Sequence, residues 1–318
     1  MAKTQLATVE LGSTGLQITR VGFGAWALGG GDWEFGWGDQ DDAESIAAID
    51  HALALGINWI DTAAGYGFGH SEQVVGRAIA GLDPAPHVFT KCGILEGPGR
   101  MAQRSLKRDS IRREAEASLE RLGVGAIDLY QIHWPRPPED IEEGWSELLA
   151  LRDEGLVRHI GVSNFSVAQL EQIGALGAVE TLQPPYSLIA RGVEEEILPY
   201  ARSAGIGVIA YSPMGSGMLT GAMTRERVAA LPDNDWRAKS DNFTEPRLSE
   251  NLATAERVRA VAQRLGVSPG AVAIAWVLRN PAVNGAIVGL RRPDQADELL
   301  AGAALALSDE DAAEIEGG

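Results

Sequence analysis

Asp61, Tyr66, Lys91 and His133 are residue types that together can hand a proton to a carbonyl oxygen, the step that accompanies hydride transfer to its carbon. Tyrosine alone is a weak acid, with an ordinary pKa near ~10. A neighbouring ammonium stabilises the phenolate and makes the hydroxyl a better donor. Lys91 can supply that charge, Asp61 can hold the lysine in place and charged, and His133 can orient the oxygen by a hydrogen bond. Each residue also has a plainer reading: Asp61 as a turn carboxylate, Tyr66 as a surface aromatic in a glycine-rich loop, His133 as a satisfied core imidazole. Lys91 is the hardest to explain structurally, because lysine is almost never fully buried unpaired and HVFTKCG is otherwise an apolar strand.

The four lie at or just beyond apolar, strand-like runs: INWIDTAAGYG (57–67), HVFTKCG (87–93) and AIDLYQIHW (126–134). In a parallel α/β barrel the carboxyl ends of all strands open on one face, so such residues meet there. The rest of the chain supports that frame. TVELGSTGLQITRVGFG (8–24) opens with two short runs around GSTG, which predicts an N-terminal β-hairpin. Strand-like and helical segments then alternate from about Val21 to about Leu299. The helices include 41–56, with acidic residues first and Gly56 at its stop, and SEQVVGRAIAG, with Ser71 as its expected N-cap. In 108–123, Ile111, Ala115, Leu119 and Leu122 share one face. Eight strand–helix units is the count that closes a (β/α)8 TIM barrel, expected as a single domain over 1–318. The stretch from Met214 to Ser249 has no clean period, and so long a loop in a compact domain is usually functional.

Composition narrows the function classes. A net charge of −17 argues against nucleic acid or an anionic membrane as partner. Cys92 is the only cysteine, so no internal disulfide forms, and it reads as a small buried residue rather than a nucleophile. The N-terminus MAKTQLATVELG lacks a signal-like apolar core, and no run of ~18 apolar residues occurs. A cytoplasmic protein is expected. The five histidines are scattered singly, so no metal site is expected and a metal-dependent hydrolase ranks last. No GxGxxG fingerprint follows a strand, which argues against a Rossmann fold.

The segment DTAAGYGFGHSEQVVGRAI resembles the signature of the aldo-keto reductase family, in which Asp and Tyr stand five residues apart. FTKCG resembles that family's lysine strand, LYQIHWP its histidine strand, and GVSNF its nicotinamide-binding segment. AYSPMGSGMLTG resembles the loop after strand seven, AIVGLRRPDQADE the adenine-side segment, and the run at 36–42 resembles bacterial members related to general stress proteins and inositol-cluster reductases. The resemblance covers the whole chain in order. It implies the barrel, NADP(H)-dependent reduction of aldehydes or ketones with NAD(H) as the alternative cofactor, and Asp61, Tyr66, Lys91 and His133 as the catalytic tetrad.

By the same resemblance Ser163, Asn164 and Gln183 would hold the nicotinamide carboxamide, and Tyr211 would stack on its ring. Gly24, Ala25 and Trp26 would sit by its ribose, Asp61 would also touch the cofactor, and Ser212, Pro213, Met214, Gly215, Ser216 and Gly217 would wrap the pyrophosphate. For GVSNF the plainer reading is a helix N-cap at Asn164 or Ser166. On the adenine side Gly289, Leu290 and Gln295 replace the Lys-Ser and arginine of many relatives, and Glu298 completes the segment. Arg291, with Arg292 beside it, could clamp a 2′-phosphate, since guanidinium binds phosphate with two bonds; two solvated arginines is the plainer reading.

Trp26, Trp33 and Trp134 are the expected substrate contacts, with Phe35, Trp37 and Trp236 as further candidates for an apolar mouth. The substrate is expected to be a small carbonyl compound, and the chain a monomer or weak homo-oligomer. Two rivals stay open: an NAD(P)-dependent sugar or polyol dehydrogenase using the same residues in reverse, and a nucleotide-sensing regulatory subunit on the same barrel, as in the potassium-channel β subunits that resemble this family.

Overall fold

The computed structural model describes residues 6–317. Strands β1 (Thr8–Glu10) and β2 (Gln17–Thr19) form the expected antiparallel hairpin. Eight parallel strands then close a barrel: β3 (Val21–Gly24), β4 (Trp59–Asp61), β5 (His87–Cys92), β8 (Ile127–Ile132), β9 (Val157–Ser163), β10 (Thr181–Gln183), β11 (Gly207–Tyr211) and β12 (Gly285–Gly289). A second hairpin, β6 (Ile94–Glu96) with β7 (Ala102–Arg104), rises from the end of β5. The pattern of short apolar runs separated by helical segments is thus a (β/α)8 barrel, as the alternation predicts.

The first hairpin plugs the amino end of the barrel. Leu11 and Ile18 pack against Trp59, Phe89, Leu129, Ile209 and Ile287, which point inward from the strands. Trp59 is fully buried, and its indole nitrogen donates to the Thr19 carbonyl at 2.8 Å. Gly22 makes room for that ring, since a Cβ there would lie 2.2 Å from the indole. The carboxyl end is left open, and the site residues stand there.

Helices α1 (Asp42–Ala54), α2 (His70–Ile79) and α3 (Arg108–Leu122) cover the outside of β3, β4 and β5. Asp41 caps α1 by accepting from the Glu44 amide. The expected cap of α2 is wrong: the helix begins at His70 after left-handed Gly69, and Ser71 is already inside it. The Ser71 hydroxyl instead lies 2.9 Å from that of Thr62 and donates to the Ala25 carbonyl at 2.8 Å, so it ties α2 to the barrel rim. Cys92 is buried, as expected. Behind the end of β5, the buried Glu114 of α3 accepts from the Gly93 amide at 2.8 Å, and burial pushes its carboxyl up to about 7.

After β11 the aperiodic stretch carries only short elements, Met218–Thr220, Arg225–Ala229, Trp236–Lys239 and Asp241–Phe243, before a long helix at Arg247–Leu265. No single described helix is long and apolar enough to cross a membrane.

Candidate active site

Asp61 is the last residue of β4, Lys91 is the fifth of six residues in β5, and His133 follows β8 directly. Tyr66 lies in the turn between β4 and α2, where its amide donates to the Ala63 carbonyl. That turn doubles back against the segment after β3: left-handed Gly67 approaches Gly29 so closely that a Cβ would sit 2.4 Å from the Gly29 carbonyl oxygen. Neighbouring strands therefore bring the four residues to one spot, and the glycine lets the tyrosine loop fold over it.

Lys91 is the centre of the cluster. Its ammonium donates to Asp61 Oδ1 at 2.6 Å, to the Thr62 carbonyl at 2.8 Å and to the Tyr66 hydroxyl oxygen at 3.2 Å. Lysine has three N–H donors, and all three are used. Asp61 spends its other oxygen on the Gln183 amide, at 2.8 Å. Burial pushes the Lys91 amine down and the Asp61 carboxyl up, and each opposes that shift in the other. With every donor on an acceptor, the charged pair is the form the geometry fits.

The phenol responds differently from the sequence reading. Burial pushes Tyr66 well above its ordinary pKa, and the Asp61 charge pushes the same way. The expectation was an ammonium acting on the hydroxyl; the structure gives an ammonium already compensated by a carboxylate 2.6 Å away. Tyr66 thus stays protonated, and the Lys91 hydrogen bond reduces the cost of its anion when the proton leaves. His133 is pushed well below its ordinary pKa, by burial first and then by the charges of Lys91 and Arg104. A neutral imidazole, with one nitrogen a donor and the other an acceptor, follows. Its ring meets that of Tyr66 edge-on, 5.6 Å between centroids.

These groups face a cavity of about 1120 Å³ that runs across the carboxyl end of the barrel. Along it stand the Gly24–Trp26 segment, Ser163, Asn164, Gln183, all of Tyr211–Gly217, Gly289, Arg291, Gln295 and Glu298. Trp33 and Trp134 also line it, with Phe35, Trp37 and Trp236. Two named residues do not. Lys91 lies behind Asp61 and Tyr66, and the Leu290 side chain turns into the main hydrophobic core, which corrects its expected place on the wall.

Asn164 sits in the left-handed region (φ +64°), donates to the His133 carbonyl and Ser163 Oγ, and accepts from the Tyr211 hydroxyl at 2.8 Å. The helix cap in this segment is Ser166, one of the two positions the plainer reading of GVSNF offered. Ser212 and Ser216 are left-handed too, beside Gly215 and Gly217. Strained non-glycine backbone clustering on one wall is a feature of ligand-holding surfaces.

Arg291 is not waiting free for an anion. Its guanidinium donates to Gln40 Oε1 at 2.6 Å, the Trp37 carbonyl at 3.1 Å and the Asp39 carbonyl at 2.6 Å, tethering the 37–40 loop to β12. Arg292 pairs with Asp294. The sequence reading missed Gln40, Arg237 and Arg104. Arg237 lies over the Trp37 ring at 4.6 Å and donates to the Ser216 carbonyl, and Trp236 stacks on Trp26 at 5.1 Å. The lack of periodicity around 214–249 was the signal for Arg237.

The fold and site define a closed (β/α)8 barrel with a buried Asp–Lys–Tyr cluster on its rim beside a long cavity. Comparison with known proteins agrees. A sequence model of the aldo/keto reductase family matches residues 20–317. The chain is 38% identical over 309 residues to the aldo-keto reductase YhdN of Bacillus subtilis (strain 168), over 96% of this chain and 91% of that protein. It is 36% identical over 317 residues to an NADH-specific methylglyoxal reductase of Escherichia coli (strain K12), over 96% of this chain and 95% of that one. Among solved structures, the glycerol dehydrogenase AKR11B4 of Gluconobacter oxydans superposes with a TM-score of 0.88 at 37% identity, covering 100% of this chain and 95% of that one. The chain belongs to the aldo-keto reductase family.

Removing one member of a buried ion pair strands the other, at a cost of about 3–5 kcal/mol. Asp61→Asn should lower the unfolding free energy by that amount in urea titration. A change below ~1 kcal/mol would mean that Lys91 does not need the Asp61 charge.

Proposed function

We propose that the chain reduces the carbonyl group of an aldehyde or ketone with a nicotinamide dinucleotide, Tyr66 acting as the general acid. The observation that carries this reading is the Lys91 ammonium, bonded at once to Asp61 and to the Tyr66 hydroxyl beside the cavity. A bound reduced nicotinamide would supply the hydride to the carbonyl carbon. Tyr66 gives its proton to the carbonyl oxygen, and Lys91 holds the phenolate left behind. Neutral His133 donates a hydrogen bond to the same oxygen and fixes its direction. Ser163, Asn164 and Gln183 would hold the carboxamide, Tyr211 would stack on the ring, and the Ser212–Gly217 loop would take the pyrophosphate. The lone buried Cys92 fits a reducing compartment such as the cytoplasm.

For the adenine end we propose NADPH as the better ligand, with NADH also accepted. Guanidinium has five N–H groups, and the Arg291 bonds to Gln40, Trp37 and Asp39 use three. Two remain for a 2′-phosphate without releasing the loop. A second reading, oxidation of a small polyol with the same residues in reverse, is favoured by the likeness to a glycerol dehydrogenase.

Tyr66→Phe should still quench tryptophan fluorescence on binding NADPH, yet lose about 10²–10⁴-fold in kcat for a generic aldehyde. Reduction at the unmodified rate would remove Tyr66 as the acid. Arg291→Ala should weaken both nucleotides, because the loop is released, and NADPH the more. Equal weakening of the two would show that Arg291 does not meet the 2′-phosphate.

A further inference from the structure

The cavity wall beside His133 carries two cations without counter-ions. Six arginines line the cavity: Arg104, Arg136, Arg227, Arg237, Arg291 and Arg292. Four are spoken for: Arg237 and Arg292 pair with Asp235 and Asp294, Arg291 holds the 37–40 loop, and Arg227 donates to the Ala222 carbonyl. Arg104 and Arg136 make no ion pair and no side-chain hydrogen bond among the described residues, and the Arg104 Nε is buried with no partner at all.

A chain with 44 acidic residues against 27 lysines and arginines has carboxylates to spare, so two unpaired guanidinium groups at one place call for an explanation. Burial and the charge of Arg136 both act against the Arg104 cation. Glu34 is the one carboxylate whose charge supports it, and Glu34 accepts from the Ala102 amide at 2.9 Å without forming an ion pair with Arg104. Arg104 is held by backbone: it ends β7, paired with Ile94 of β6, which also lines the cavity. Arg136 rests over the Trp134 ring, 5.9 Å from its centroid, and Trp134 follows His133. His133 in turn feels the Arg104 charge. Both cations therefore stand at the end of the cavity where the carbonyl would react.

We propose that Arg104 and Arg136 form an anion subsite, and that the preferred substrate is a short carbonyl compound bearing a carboxylate or phosphate. Planar guanidinium groups bind both anions through charge-assisted bonds. The anion supplies the counter-charge the wall lacks and relieves the repulsion between the two arginines. This inference rests on the reductase reading and gives the substrate its charge.

The test uses two matched pairs with the purified protein and either reduced nucleotide: 4-oxobutanoate against butanal, and glyceraldehyde 3-phosphate against glyceraldehyde. At least one charged member should exceed its neutral partner in kcat/KM by about 10–100-fold, as expected for charge-assisted bonds, and the pair that does so identifies the anion. Arg104→Met should erase most of that ratio, chiefly through KM, and Arg104→Lys should restore part of it. Arg136 is exposed, so Arg136→Met gives the same reading should Arg104→Met fail to fold. Turnover of neutral aldehydes with no preference for charged ones, or equal loss for both members of a pair in the variants, overturns the anion subsite and leaves the reductase reading intact. Turnover of none of the four overturns the reductase reading and the inference with it.

Discussion

A lysine and an aspartate in contact, both buried, set the terms for everything at the barrel rim. Taking either charge alone into such a place costs several kcal/mol. Together at 2.6 Å, with the Thr62 carbonyl, the Tyr66 hydroxyl and the Gln183 amide completing their hydrogen bonds, they are held in the charged state. The pair presents a fixed dipole, rather than a bare cation, to the phenol. A hydroxyl next to that dipole keeps its proton at rest and leaves behind an anion that already has a donor aimed at it. The same carboxylate is bonded to Gln183, so the buried ion pair and the cavity wall are joined through one residue.

The barrel makes this arrangement affordable in geometry. Lys91 and Asp61 lie on adjacent parallel strands, β5 and β4, whose register pairs Asp61 with Phe89. Below them the interior is filled by Trp59, Phe89 and the plug of the first hairpin, so the ion pair stands on a dry floor. Above them the loops are free to differ, and they do: strained serines line the 212–217 segment, indoles of Trp26, Trp37 and Trp236 pack into one another, and Arg291 fastens the 37–40 loop to β12. Fixed strands carry the Asp61–Lys91 pair, and tethered loops shape the cavity above it.

What could be read from the chain follows this division. The alternation of short apolar runs and helical segments gives the barrel, because every strand in such a sheet is buried on both faces and reads as apolar. Lys91 was conspicuous for the same reason, a charge inside such a run. Loop residues were harder. Gln40 and Arg291 are 251 positions apart, and nothing local tells that one occupies the other. Ser71 has the residue type of a cap, but its hydroxyl was claimed by Ala25 from another segment. Leu290 follows a cavity-lining glycine in sequence yet turns into the core, since neighbouring residues at a strand end face opposite ways. The strands of β6 and β7 are three residues each, too short for any period, which is why Arg104 escaped notice.

Neutron diffraction from deuterated crystals at neutral pH would test the central claim most directly, because it locates protons instead of inferring them. Three deuterons on Lys91 Nζ, one on the Tyr66 oxygen and none on Asp61 is the predicted pattern. A deuteron on the Asp61 carboxyl, with only two on Lys91, would mean that the pair is neutral and that no fixed charge awaits the tyrosine anion.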